Sequence, residues 1–444
     1  MQPNVLILLC DTLRKDVLGL YRGDARTPNL RKLASESMVY ENAIAPSPWT
    51  YPSHVSLFTG MYPSEHGIHE TDTVKLLGIT KYHRALKAQR LAEYFSSLGY
   101  DTDAISTNIM VSPFTAFDTG FHSFVSLNPA PSASEEWMSE VFSKARKLGS
   151  SPGEIMLSLL KKGAFSELYK YSIAWRKAKR VEKDTNYPLD KGAKTISDII
   201  TNGKLGDKFF KFVNMVEMHE PYKGYKPKET WDNFTGIQPI RSSKIAYLRK
   251  QYALEAEYLD RRIGGIINAL KRRGAYDNTM IIITSDHGQA FNEHGYMYHN
   301  TYLYDEIIRI PLIIKYPNSR KFWKKSGYQS LVNLHDTIKN ITEGGNDDGL
   351  TTDTAFSEAY GDVTILPGGY KDREDYVKRK YEKTRKAVYK GRFKLTVNGT
   401  EGTIEEFLEN GRKRDPSHNN KVVKELINEI RGLAKKEDFS LPEV

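Results

Sequence analysis

Apolar runs and their polar interruptions divide the chain into alternating strands and helices. Val5-Leu-Ile-Leu-Leu-Cys10 is unbroken and stops at Asp11. A run of that length without alternation predicts a strand over residues 4–10 buried on both faces, with a carboxylate at its carboxyl end. Thr27-Pro28 opens a helix on which Leu30, Leu33 and Ala34 share one face. Residues 38–40 read as a short strand, residues 86–98 as a helix ended by Gly99, and residues 100–106 as the next strand. Later come strands over 209–215, 279–285 and 310–315 and a helix over 331–341. A long helix over 245–271 carries Tyr252, Ala256, Leu259, Ile263, Ile266 and Leu270 on one side, and Gly274 closes it. This β-α-β succession predicts right-handed crossovers and a doubly wound, mainly parallel α/β sheet.

Two regions depart from the rhythm. Residues 130–190 carry Lys161, Lys162, Lys170, Arg176, Lys177, Lys179 and Arg180 interleaved with Leu157, Leu159, Leu160, Leu168, Tyr169 and Trp175. They read as inserted helices, a candidate lid. A solvated, charged face is favoured there over a dedicated lipid or nucleic-acid surface. After about residue 350, strand patterns meet at Lys390-Gly391 and Asn398-Gly399, and a terminal helix spans 420–435. The expected organisation is a catalytic α/β domain over 1–350, including the insertion, and a small α+β subdomain over 351–444.

Composition narrows the function classes. The 444 residues include 65 basic and 55 acidic side chains, a formal net charge of +10. That suits an anionic substrate or surface, but no nucleic-acid module accompanies it, so no nucleic-acid partner is expected. The single cysteine, Cys10, excludes an intramolecular disulfide and points to a reducing compartment. The N-terminal run is too short for a signal peptide, and no stretch approaches the ~20 apolar residues of a span. A cytoplasmic protein is expected, with a homo-oligomer compatible with the sequence.

The candidate chemistry centres on residues 47–60. Pro46, Pro48 and Pro52 stiffen the approach, a helix runs to Thr59, and Gly60 stops it. Thr50 falls near the N-cap, where free N–H groups and the helix dipole favour an anion beside its hydroxyl. Read alone, this stretch favours Thr50 as only a cap. Asp11 and Asp286-His287 each follow an apolar strand, and reactive groups of such sheets gather outside the strands' carboxyl ends. Two carboxylates and an imidazole suit one divalent cation, Mn²⁺ or Zn²⁺ ahead of Ca²⁺ or Mg²⁺. His219, in Met-His-Glu-Pro-Tyr after another strand, is a candidate proton donor to a leaving alkoxide. His294 and His299 follow the Asp-His pair closely; His66 and His69 stay unassigned. There is no Walker-type phosphate loop, no Gly-x-Gly-x-x-Gly after a strand and no Gly-x-Ser-x-Gly elbow.

With these residues in view, the chain resembles the sulfatase family of the alkaline phosphatase superfamily. The likeness rests on Leu-Leu-Cys-Asp11-Thr-Leu-Arg-Lys-Asp16, Thr27-Pro-Asn-Leu, Pro-Ser-Pro-Trp-Thr50-Tyr-Pro-Ser-His54, His219-Glu-Pro-Tyr, Ser285-Asp-His-Gly with Glu293-His-Gly, and Leu303-Tyr-Asp-Glu-Ile-Ile-Arg-Ile-Pro-Leu. It implies a three-layer α/β/α sandwich of the alkaline-phosphatase type. It also implies a metal-bound nucleophile that attacks a sulfate or phosphate ester and forms a covalent intermediate. Sulfatases of this family place Cys or Ser in Cys/Ser-x-Pro-Ser-Arg and oxidise it to formylglycine. Here Thr50 takes that place and His54 that of the Arg, and threonine cannot become formylglycine. By position, Asp11, Thr50, Asp286 and His287 hold one metal, His219 is the general acid, and His54, Asn108, His294 and His299 contact the substrate. Thr12 replaces the second acid of the usual Asp-Asp pair, which favours a single metal. The expected activity is hydrolysis of a phosphodiester or phosphonate monoester borne by an anionic small molecule or by a lipid or glycan head group. The rivals are a sulfuric ester hydrolase, a phospho-head-group transferase and a non-catalytic anion-binding protein.

Overall fold

The computed structural model describes residues 2–442 except 70–82, 128–140, 142–143, 146–147, 150, 185–187, 225, 320–322, 326, 346–348, 362–365, 367 and 435–436. Parts of the expected insertion (130–140, 142–143, 146–147, 150 and 185–187) thus lie outside the described residues, as do the side chains of Lys177, Lys179 and Arg180. The C-terminal end of the expected last helix, residue 435, also lies outside them.

The strands in chain order are β1 (Asn4–Cys10), β2 (Met38–Ile44), β3 (Asp101–Ser106), β4 (Ser123–Ser126), β5 (Phe209–Met215), β6 (Thr279–Thr284), β7 (Ala290–Phe291), β8 (Met297–Tyr298), β9 (Arg309–Lys315), β10 (Trp323–Lys325), β11 (Tyr328–Ser330) and β12 (Thr351–Thr352). Apart from β7 and β8, which pair with each other, they form one ten-stranded sheet in the order β12-β11-β2-β9-β6-β1-β5-β3-β4, with β10 beside β2. β1 is central and parallel to both β5 and β6. Its alternation explains the uniform apolar run. Val5, Ile7 and Leu9 enter one core, and Leu6, Leu8 and Cys10 enter the core on the other face. Each such buried side chain contributes about 1.5–3 kcal/mol of transfer free energy.

Helices cover both faces. Helix α1 (Pro28–Ala34), Ala193–Asn202 and the 31-residue Ser242–Arg272 pack on one. Helix α2 (Thr50–Thr59), Leu91–Ser97 and Leu331–Thr342 pack on the other. The sheet is mixed in two places: β9 runs antiparallel to β6 and to β2, and β12 runs antiparallel to β11. The expected helix over 86–98 is shorter, starting at Leu91, where the Glu93 carboxylate accepts from the Arg90 N–H at 2.9 Å. No described helix is long and apolar enough to cross a membrane.

The second sheet, antiparallel, contains β13 (Thr354–Tyr360), β14 (Thr384–Lys390), β15 (Phe393–Asn398), β16 (Thr403–Glu409) and β17 (Arg412–Lys413). Helix Asn420–Leu433 sets Val423, Leu426, Ile427 and Ile430 against Val388, Leu395, Val397 and Phe407. Lys394, on β15, is buried and paired with Asp305 and Glu406, which ties this sheet to the segment before β9.

Candidate active site

The carboxyl ends of β1, β5 and β6 meet the first turn of α2. Thr12, at φ 59°, turns the chain just after Asp11. Its N–H donates to Asp286 Oδ1 at 3.2 Å, and the Ser285 hydroxyl donates to the Cys10 carbonyl at 2.7 Å. The ends of β1 and β6 are thereby stitched together. The Ser53 hydroxyl donates to the Asp286 carbonyl at 2.7 Å and fixes α2 to the same point.

Thr50 is the first helical residue; the N-cap is Trp49, whose side chain caps nothing. The Thr50 hydroxyl therefore does not serve as a cap. Its Oγ1 lies 3.4 Å from Asp11 Oδ2 and 3.3 Å from His287 Nε2. His287 Nδ1 donates to the Gly288 carbonyl at 2.9 Å, which leaves the Nε2 lone pair facing inward. That nitrogen lies 3.4 Å from Asp286 Oδ2 and 3.9 Å from Asp11 Oδ1. Asp11, Asp286 and His287 are all fully buried and grouped as a cation's ligands would be. Asp11 Oδ1 and Asp286 Oδ2 have no hydrogen-bond partner among the described residues. Two unpartnered buried carboxylate oxygens facing an imidazole lone pair are costly unless a cation joins them, so these residues fit a divalent metal. Burial pushes Asp11 up to about 6, with the Asp286 charge adding, and burial does the same to Asp286. Burial lowers His287 and keeps it neutral, as a ligand must be.

Asn108 stands at the edge of this group. Its Nδ2 donates to Asp11 Oδ2 at 2.6 Å, while its Oδ1 holds the Met110 N–H at 2.8 Å. His54 sits differently from the expectation of a substrate contact. It is fully buried behind Thr50, its Nδ1 donating to the Thr50 carbonyl at 2.8 Å and its Nε2 accepting from Asn214 at 2.9 Å. Burial lowers it to about 3. With both nitrogens engaged and no charge, His54 positions the first turn of α2.

A second group lies beside the first. His219 Nδ1 donates to the Glu220 carbonyl at 2.8 Å. Burial opposes its charge, but Glu220 and Asp11 outweigh burial and hold the imidazole above its ordinary value. His299 Nδ1 donates to Gln289 Oε1 at 2.7 Å, and Gln289 Nε2 donates to Glu220 Oε2 at 2.8 Å. The Glu220 carboxylate thus fixes the amide, and the amide fixes the His299 tautomer. Burial and the neighbouring His287 and His219 hold His299 well below its ordinary value, so it is neutral with a lone pair at Nε2. Its ring centroid is 4.5 Å from that of His287 and 5.0 Å from that of His219. His294 is not brought to this cluster. It pairs with Glu306 at 3.3 Å and stacks on Tyr304. Gln289 and Asn214 were not singled out from the sequence, and Glu220 stood there only as part of the His219-Glu-Pro-Tyr motif.

A family model described as Sulfatase matches residues 3–344. Endo-4-O-sulfatase of Bacteroides thetaiotaomicron is 25% identical over 354 residues, 71% of this chain and 64% of that protein. Iduronate 2-sulfatase of Homo sapiens is 25% identical over 382 residues, 77% of this chain and 65% of that protein. The chain therefore spans less than two thirds of these curated relatives. Among solved structures, phosphonate monoester hydrolase of Agrobacterium radiobacter aligns with a TM-score of 0.65 at 16% identity, covering 98% of this chain and 96% of that one.

Proposed function

Because the chain belongs to the sulfatase family, we propose that it is a metal-dependent hydrolase of phosphate esters, acting on a phosphodiester or phosphonate monoester through a covalent intermediate on Thr50. The observation that carries this reading is the Thr50 hydroxyl at 3.3–3.4 Å from His287 Nε2 and Asp11 Oδ2, beside two unpartnered carboxylate oxygens. Asp11, Asp286 and His287 would hold one divalent ion, Mn²⁺ or Zn²⁺ ahead of Ca²⁺ or Mg²⁺. Such an ion lowers the pKa of a neighbouring hydroxyl and neutralises a bound anion.

The chain's own residues perform the rest. Thr50 Oγ1, deprotonated, bonds to phosphorus as the bond to the leaving oxygen breaks, and His219 gives that oxygen its proton. Asn108 lies beside the transferred group. The neutral His299 accepts a hydrogen bond at Nε2 from the water that cleaves the Thr50–phosphoryl bond and restores the hydroxyl. His54 and Asn214 keep the first turn of α2 in register with β5.

Sulfuric ester hydrolysis is the second reading, favoured by the names of the curated relatives. Against it stands the nucleophile: the β-carbon of Thr50 bears a methyl group, so oxidation cannot produce the formylglycine aldehyde. Thr50→Ala is expected to reduce turnover on the order of 10³-fold or more while metal content, read by elemental analysis, stays at the wild-type level. A panel of phosphate mono- and diesters, phosphonate monoesters and sulfate esters decides the ester class. Undiminished turnover of every ester by this variant would refute the nucleophile.

A further inference from the structure

The inserted segment has a surface that catalysis does not use. Helices Pro152–Lys161 and Phe165–Asp184 form a hairpin joined by Lys162-Gly163-Ala164. They pack on each other around a small core of their own, with Ile155, Leu159 and Tyr171 buried. The outward side is apolar. On the second helix Phe165, Tyr169 and Ile173 follow at four-residue spacing, hence on one stripe, with Phe165 68% and Tyr169 67% exposed. On the first helix of the hairpin Leu157 and Leu160 are exposed as well. Eleven large apolar side chains are exposed among the described residues, and five of them fall in these seventeen positions. That concentration is a patch rather than scatter.

Basic side chains border it. Lys161, Lys162, Lys170 and Arg176 are exposed along the same hairpin, against Glu154 and Glu167. Over residues 152–184 the sequence holds eight basic and four acidic residues. An exposed apolar stripe with a cationic margin, on helices too polar to span, is the pattern of a helix lying in the plane of a membrane interface. The apolar side chains enter the acyl boundary, and the lysines and arginine meet anionic head groups. We propose that this hairpin docks the protein on an anionic phospholipid bilayer.

The test is co-sedimentation of the full chain with vesicles of phosphatidylcholine containing phosphatidylglycerol and with vesicles of phosphatidylcholine alone. Wild-type protein is expected on the anionic vesicles, with weaker binding at high salt. The variant Leu160→Ser/Phe165→Ser/Tyr169→Ser should lose binding about ten-fold or more. Lys161→Glu/Lys162→Glu/Lys170→Glu should lose it on anionic vesicles as well. Ester turnover and far-UV circular dichroism should stay at wild-type levels in both, since these side chains lie outside the candidate site. Absence of wild-type binding overturns the proposal. So does binding that survives the apolar substitutions, which would assign it to the net charge of the whole molecule. Light scattering on the same samples covers the other occupant: a wild-type dimer dissolved by the apolar substitutions, without vesicle binding, would assign the stripe to a second copy of this chain.

Discussion

Two groups of three side chains lie side by side near Thr50's helix end, and each has the composition of a metal site, yet they are built on opposite principles. Asp11, Asp286 and His287 are fully buried, and two of their carboxylate oxygens have no partner among the described residues. His219, Glu220 and His299 are tied by hydrogen bonds: Gln289 bridges Glu220 and His299, and the Glu220 carbonyl holds His219. Buried polar groups are ordinarily hydrogen-bonded, so the unpartnered pair is the one that fits a cation, while a hydrogen-bonded network fixes tautomers. The electrostatics follow the same division. Burial raises both carboxyls of the first group to about 6. In the second group one imidazole is held above its ordinary value and the other well below it. Neighbouring titratable groups driven apart are the signature of an acid and an acceptor. The first group is suited to charge and the second to protons.

The sharpest way to break this division is to remove the first group. Asp286→Asn/His287→Ala is expected to abolish both turnover and bound metal, whereas His299→Ala should keep its metal. Elemental analysis after exhaustive dialysis reads both. Equal metal content in Asp286→Asn/His287→Ala and wild type would show that the unpartnered oxygens are not ligands.

Removing the proton donor has a smaller and more selective effect. His219→Ala should slow esters with poor, alkoxide-like leaving groups by roughly 10²–10⁴-fold. Esters with acidic phenol leaving groups, which need no proton, should change little. A uniform loss across leaving groups would instead make His219 a binding residue.

The unequal legibility of the two groups in the sequence has a physical basis. Asp11 and Asp286-His287 end long apolar runs, and a buried parallel strand announces its carboxyl end by where that run stops. Thr50 was marked by prolines before it and Gly60 after it. In the second group only His219 has such a marker, following the apolar run of β5. Gln289 and Glu220 are 69 positions apart, and only the meeting of β5 and β6 loops joins them. His294 and His299 were indistinguishable by pattern, since β7 and β8 have two residues each and show no period. Backbone turns separate them: Asn292 and Gly295, at φ 68° and 70°, send His294 outward to Glu306, while the following strand returns His299 to the site. His54 was misplaced for a related reason. Its partner within α2 is a backbone carbonyl four residues back, and the other, Asn214, comes from a distant strand. The antiparallel sense of β9 was equally hidden, because an apolar run carries no direction.

The finest test reaches the second group without dismantling it. Glu220→Gln keeps an oxygen to accept from Gln289 Nε2 but removes the charge. That charge is the largest contribution holding His219 up against burial. A carboxylate nearby favours imidazolium, so its removal lowers the His219 pKa. The acid must be protonated to act, so activity falls as pH rises through that pKa. The basic limb of the kcat/KM profile should therefore move to lower pH in Glu220→Gln, by about one unit or less, while the acidic limb and the metal content stay unchanged. An unmoved basic limb would separate it from His219, and an acidic limb that moved instead would mean that Glu220 acts on the carboxylates of the first group.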